Sequence, residues 1–166
     1  MNVATATPAE HPEKLEISLA GATELCQLGL GTMIDIRQRF EIEMKGAIPD
    51  TVHIPMFEVK QLLGHALSED EQDILDAGKP TDIDVQGFFT MINRLHHGHD
   101  KILLCVCNSG RRSLFAARLL RSMGYDKALS VAGGFQAWKQ LQNPRPKARS
   151  PLSAPIEAGD SACTNE

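Results

Sequence analysis

The chain has 166 residues, 42% hydrophobic and 23% charged, which is enough for one ordinary soluble domain and too few for a second. Seventeen basic against twenty-one acidic residues give a formal net charge of -4, which removes the bulk electrostatic case for nucleic acid or an anionic membrane as partner, so any anion site must be built locally. The four cysteines, Cys26, Cys105, Cys107 and Cys163, form no CxxC pair. The first sixteen residues hold no apolar signal core, and no apolar run approaches the ~18 residues of a membrane span, so a reducing cytoplasm with free thiols is expected.

Residues 1–14 contain Pro8 and Pro12, and residues 142–166 contain Pro144, Pro146, Pro151 and Pro155 among small polar and charged residues. Such composition buries too little apolar surface to offset the entropy of ordering, so both are expected to be disordered tails around one domain at 15–141. Within that domain Leu15 to Ile17 reads as a brief edge strand, and Ser18 as the N-cap of a helix carrying Leu19, Ala22, Leu25, Cys26 and Leu28 on one side. Thr32 to Ile36 reads as a buried strand that delivers Asp35 and Arg37 to its C-terminal edge. A turn with two prolines at 46–55 encloses a short strand from Val52 to Ile54. Helices are expected at 56–66, 69–77 and 84–97, the last with Val85, Phe88, Phe89, Ile92 and Leu95 facing inward. Lys101 to Val106 is a continuous aliphatic run of the kind buried on both faces of a parallel sheet. A helix from Ser113 to Met123, a strand from Lys127 to Val131, a turn at Gly133 and Gly134, and a helix from Phe135 to Leu141 complete the pattern. Alternation of strands and helices predicts an α/β fold: a twisted parallel sheet of about five strands with helices on both faces.

Open parallel sheets carry their ligand sites beyond the carboxyl ends of the strands, where Cys107-Asn108-Ser109-Gly110-Arg111-Arg112 joins the central strand to a helix. A loop of this kind turns successive amide N–H groups inward, and the helix end adds partial positive charge, so the segment forms a cradle for an anion. Cys107 opens the cradle in a field that favours thiolate over thiol, which makes it a competent nucleophile. Arg111 and Arg112 add full positive charge, and Gly110 supplies backbone freedom. Cys105, on the same strand face, has no such neighbours and reads as core.

The segment from Ile102 to Trp138 resembles the catalytic half of the rhodanese family, with its strand, its Cys, a short loop with Gly and Arg, a helix, a strand, and then Gly-Gly and Trp. Here these elements are Cys107, Gly110, Arg112, Ser113, Gly133, Gly134 and Trp138. Asp35-Ile36-Arg37 resembles the family's Asp-x-Arg, and Gly46-Ala47-Ile48-Pro49 through Pro55 resembles its Gly-His-Ile-Pro turn. Ala47 replaces the usual His and Asp50 the usual Gly, departures expected to alter the turn and not the active site. Residues 56–100 are longer than the family's common single-domain connection, so helices there are additional.

The resemblance implies a double displacement. Cys107 attacks an anionic donor such as thiosulfate or a persulfide, becomes a persulfide itself, and passes the outer sulfur to a thiol, to cyanide or to a sulfur-relay protein, with no metal or organic cofactor. Residues Asn108, Ser109, Gly110, Arg111 and Arg112 would bind the substrate, Arg112 by orienting the donor or by stabilising the loop and Arg111 from the rim, roles that are interchangeable at this stage. Phosphatase or arsenate reductase chemistry on the same fold calls for Cys, five residues, then Arg. Here four residues separate Cys107 from Arg112, and the shorter loop crowds a tetrahedral oxyanion. A sensing module or a persulfide carrier without efficient turnover is the other alternative, and the cysteine in its cradle favours turnover.

Asp35 and Arg37 are expected to form an ion pair that supports the strand end. His96, His97 and His99 sit in a helix-ending loop, where neighbouring histidines do not by themselves face one point, so no metal is expected. Cys26 reads as core and Cys163 as an exposed, unactivated thiol in the tail. Arg118 and Arg121 read as solvated charges available to a docking protein donor.

Overall fold

The computed structural model of the chain describes residues 14–58, 67–95 and 100–144. Five strands, β1 (Glu16–Ile17), β2 (Gly31–Asp35), β3 (Val52–His53), β4 (Ile102–Val106) and β5 (Ala128–Val131), form one sheet in the order β1-β5-β4-β2-β3. Every pairing is parallel. The helices are α1 (Leu19–Gln27), α2 (Arg39–Lys45), α3 (Glu69–Ala77), α4 (Asp82–Leu95), α5 (Arg111–Ser122) and α6 (Gly134–Gln142). The fold is therefore the expected α/β arrangement, a five-stranded parallel sheet covered on both sides.

Alternation along β4 explains the two layers. Leu103, Cys105 and Cys107 point to one side, where Phe88, Phe89 and Ile92 of α4 and Ala116 and Leu120 of α5 pack with Ile34 and Ile36. Leu104 and Val106 point to the other, against Leu19 and Ala22 of α1 and Phe135 of α6. A strand so enclosed must be apolar at every position, which is why the β4 run is uninterrupted. Its register with β2 places Ile34 opposite Cys105 and Asp35 opposite Val106, and the Ile36 amide continues the ladder to the Val106 carbonyl at 2.9 Å. The two central strands thus end in the same row, and the segments leaving them, Arg37 onward and Cys107 onward, emerge side by side.

Local signals set the helix starts. Ser18 Oγ accepts the Gly21 amide at 3.1 Å at the head of α1. Ser68 and Glu71 exchange hydrogen bonds at the head of α3, Glu71 accepting the Ser68 amide at 2.8 Å and Ser68 Oγ accepting the Glu71 amide at 3.2 Å.

Three elements differ from expectation, the first being α4, which starts two residues early at Asp82 and leaves Leu95 exposed. α2 was not anticipated: its seven residues alternate charge and apolar character without a clear stripe. α5 starts two residues early, at Arg111, because Gly110 adopts the left-handed conformation (φ 103°) at the N-cap, so both arginines belong to its first turn. Residues 56–58 of the helix expected at 56–66 are not helical, the Met56 amide donating instead to the Ile36 carbonyl at 3.2 Å, and the rest of it lies outside the described residues, as do His96, His97, His99, Cys163 and nearly all of both tails. No helix among the described residues is long and apolar enough to cross a membrane, and no three His, Cys, Asp or Glu side chains among them are grouped to hold a metal ion.

Candidate active site

Cys107 sits one residue beyond β4 and is buried, because its side chain belongs to the apolar face that α4 and α5 cover. Its sulfur is surrounded by donors. The Gly110 amide points at Sγ from 3.1 Å and the Ser113 amide from 3.4 Å, two of the N–H groups that the start of a helix leaves unpaired. The Ser113 hydroxyl lies 3.4 Å from Sγ, 2.8 Å from Ser130 Oγ and 3.1 Å from the Gly110 carbonyl. In the thiol form Cys107 donates to Ser113 Oγ. A thiolate here accepts from the two amides, and the Ser113 hydroxyl can turn its proton toward the sulfur. Converging donors of this kind can accommodate a sulfur that carries negative charge without rearranging.

The back of the loop is held by a buried ionic network. Arg112 forms a two-pronged pair with Glu41 of α2, at 2.8 Å from Nη1 and 2.7 Å from Nη2, and its Nη2 also donates to Asp76 of α3 at 2.8 Å. Asp76 accepts from Asn108 Nδ2 at 3.2 Å and from Gln72 Nε2 at 3.1 Å, so α3 grips the loop at two places. All of these side chains are buried. Burial acts to lower the Arg112 pKa, but the bond and charge of Glu41, helped by Cys107 and Asp76, outweigh it and hold the guanidinium above its ordinary value. Of the two roles open to Arg112, its contacts are those of loop stabilisation. Arg111 is exposed at the rim and pairs with the exposed Asp73 at 2.7 Å. Asn108 is buried, and Ser109 Oγ is shielded from solvent with no hydrogen-bond partner among the described residues.

Asp35 and Arg37 form a fully buried ion pair at 2.7 Å. Arg37 also donates to the Gly46 carbonyl at 3.0 Å and lies 4.1 Å above the Phe135 ring. The pair ties the end of β2 to the turn before β3 and to α6. On the far side of the loop, the Phe135 amide donates to the Cys107 carbonyl at 2.8 Å and the Gln136 amide to the Asn108 carbonyl at 3.0 Å. Gly134 permits this approach: a Cβ there would lie 2.3 Å from the Cys107 carbonyl oxygen.

Glu41, Gln72, Asp76 and Lys45 were not singled out from the sequence, yet all four adjoin the loop. Lys45, half-buried at the end of α2, donates to Gln72 Oε1 and to Asn108 Oδ1, the latter at 3.5 Å. Burial pushes its ammonium below the usual lysine range, against the opposing pull of Glu41 and Asp76 and with Arg37 and Arg112 reinforcing the decrease. A cleft of about 700 Å³ lined by Lys45, Asn108, Phe135, Gln136, Lys139 and other polar residues opens beside the loop. A second cleft, of about 420 Å³, is lined by Lys45, Ser109 and Arg111 together with the side of α3 that bears Gln72, Asp73 and Asp76. Cys105, deeper on the same strand face, has its thiol pushed up to about 12, first by burial and then by its neighbour Cys107, and is inert near neutral pH.

Comparison with known proteins points the same way. The human thiosulfate:glutathione sulfurtransferase is 28% identical over 127 residues, 76% of this chain and 95% of the relative. A rhodanese domain-containing protein of Drosophila melanogaster is 26% identical over 110 residues, 66% of this chain and 83% of the relative. Among solved structures, an uncharacterized protein of Saccharomyces cerevisiae matches with a TM-score of 0.50 at 17% identity, covering 78% of this chain and 93% of that one, which is a likeness of fold. The family model for the rhodanese-like domain matches residues 20–141, from the first helix through the cysteine loop to the last helix, and the chain belongs to that family.

Proposed function

We propose that the chain is a sulfurtransferase that moves sulfane sulfur from an anionic donor, thiosulfate or a persulfide, to a thiol or cyanide acceptor through a persulfide on Cys107. The observation that carries the reading is the convergence of the Gly110 and Ser113 amides on Cys107 Sγ, in a loop with four residues between Cys107 and Arg112. With thiosulfate, the Cys107 thiolate attacks the outer sulfur. A sulfur–sulfur bond forms, the bond to the sulfonate sulfur breaks, and sulfite leaves with its electron pair. The acceptor nucleophile then attacks the outer sulfur of the persulfide, and the electron pair of the broken bond returns to Cys107 as thiolate.

The loop serves both half-reactions with the same groups. Amide donors oriented before the reaction stabilise charge on the inner sulfur at either end without rearranging. Arg112, locked between Glu41 and Asp76, fixes the loop that presents those amides and acts as a positioning residue. The kinship with a thiosulfate:glutathione sulfurtransferase supports thiosulfate as a donor and a low-molecular-weight thiol as an acceptor. A protein acceptor in a sulfur relay uses the same chemistry. Cys107→Ser leaves the fold in place and removes the nucleophile, so thiosulfate:cyanide sulfur transfer by the variant is expected to vanish; turnover retained by this variant overturns the assignment.

A further inference from the structure

The sequence points to Arg111 and Arg112 as the cations that meet an anionic donor; the structure commits Arg112 elsewhere and leaves Arg111 exposed in a surface ion pair. Arg112 is buried and shared between two carboxylates, and Arg111 faces Asp73 at the rim. The loop still needs a positive charge on its open side, since an oxyanion-bearing donor gives up its hydration to enter. Lys45 is placed for this. It lines both clefts that flank the loop, contacts the loop through Asn108 Oδ1, and enters no ion pair among the described residues, its partners being the amide oxygens of Gln72 and Asn108. The larger cleft adds Lys139 and no acidic side chain. The second, which Arg111 and the carboxylates of Glu69, Asp73 and Asp76 also line, contains the Ser109 hydroxyl, which is shielded from solvent and has no hydrogen-bond partner among the described residues. A shielded hydroxyl without a partner marks a place where a ligand atom completes the hydrogen bonding.

We infer that Lys45 is the anion-recognising residue of this site: its ammonium binds the sulfonate or carboxylate end of the sulfur donor while Cys107 engages the sulfur, and Ser109 Oγ supplies a further hydrogen bond to the bound oxyanion. The inference rests on the reading of Cys107 as the sulfur acceptor and names the group that selects its donor. An ammonium already half withdrawn from water, hydrogen-bonded to neutral amide oxygens and near Glu41 and Asp76, whose carboxylates Arg112 already engages, gains more from an arriving oxyanion than a solvated lysine does. Lys45 sits at the end of α2, whose Glu41 anchors Arg112, so one helix both braces the loop from behind and presents a cation on its open side.

The test separates binding from turnover. Cys107→Ser, which cannot take sulfur, is titrated with sodium thiosulfate while the amide resonances of residues 108–110 are followed by NMR, alone and combined with Lys45→Gln or Lys45→Arg. Losing one charge-assisted hydrogen bond is expected to weaken binding roughly tenfold in the Gln variant, with most of the affinity regained in the Arg variant. Added sodium chloride is expected to weaken the parent more steeply than the Gln variant. Equal affinities with Lys and Gln at position 45, or no saturable shift in the parent, overturn the assignment of Lys45. A wild-type chain that binds thiosulfate in this Lys45-dependent way but takes up no sulfur supports the anion site and overturns the sulfurtransferase reading instead.

Discussion

Gly134→Ala tests how closely the active-site loop is seated on the last helix. Gly134 has φ +52°, where an L side chain costs about 1–2 kcal/mol. Its new Cβ would meet the Cys107 carbonyl oxygen at 2.3 Å and the Asn108 carbonyl oxygen at 2.9 Å, both backbone atoms that no rotamer change can move aside. Reaching an ordinary contact of 3.4 Å requires the loop and α6 to separate by about 1 Å, given the 2.3 Å starting distance. That separation stretches the Phe135 and Gln136 amide bonds to those same carbonyls, now 2.8 and 3.0 Å, and a buried polar group left unpaired costs about 1–3 kcal/mol. Strain and the two lost hydrogen bonds together come to about 3–8 kcal/mol, a large share of the ~5–15 kcal/mol that holds a domain folded. Urea denaturation followed by circular dichroism should show a loss of this size, with sulfur transfer falling along with it because the displaced carbonyl belongs to Cys107. Gly87→Ala is the matched control. Inside α4, with nothing within 4 Å of the added Cβ, it should stabilise the protein by about 0.5–1 kcal/mol. A Gly134→Ala protein within 1 kcal/mol of wild type and fully active would refute the seating argument.

Asp76→Ala removes a carboxylate shared by Arg112 and Asn108, and should cost about 2–3 kcal/mol in urea denaturation, less than losing a whole buried pair because Glu41 still holds the guanidinium. Asp73→Ala breaks only the exposed pair with Arg111 and should stay within about 0.5 kcal/mol of wild type; equal losses in the two variants contradict the network. Cys105 has a thiol raised in the fold from an ordinary value of 9.0 to about 12, so the folded state keeps a proton that the unfolded chain has lost. Its contribution is complete below pH 9 and declines as pH rises toward 12. Cys105→Ala should therefore flatten the decline of unfolding free energy between pH 9 and 11, and an unchanged slope contradicts the buried-thiol account.

How much of this was legible in the sequence varies with the range of the interaction that defines each feature. β4 and the Cys107 loop could be read directly, since a strand enclosed on both faces is apolar throughout and the loop chemistry lies in six consecutive residues. The Ser18 cap was equally plain because it is local. Glu41 and Asp76 were not, although they are the carboxylates that hold Arg112. They lie 71 and 36 residues from it, and an acidic residue on a polar helix face looks solvated until the fold places a guanidinium against it. Without them Arg112 reads as free to meet a donor, and Lys45 as one charge among several on α2. α2 itself is not legible, because seven residues with scattered apolar positions show no helical period, although Glu41 accepting the Gln38 amide at 2.9 Å is the trace of a capping signal. The additional segment 56–100 was legible as extra length, and its role near the site became visible only when α3 proved to supply Gln72, Asp73 and Asp76.

The central claim is that Cys107, alone among the cysteines, takes up sulfur. Intact-mass analysis of the reduced chain after treatment with thiosulfate, followed by peptide mapping without reductant, measures it directly. The account predicts one added sulfur, located on Cys107 and absent from Cys107→Ser. Sulfur found on Cys105 or Cys163, or no uptake by the wild-type chain, contradicts it.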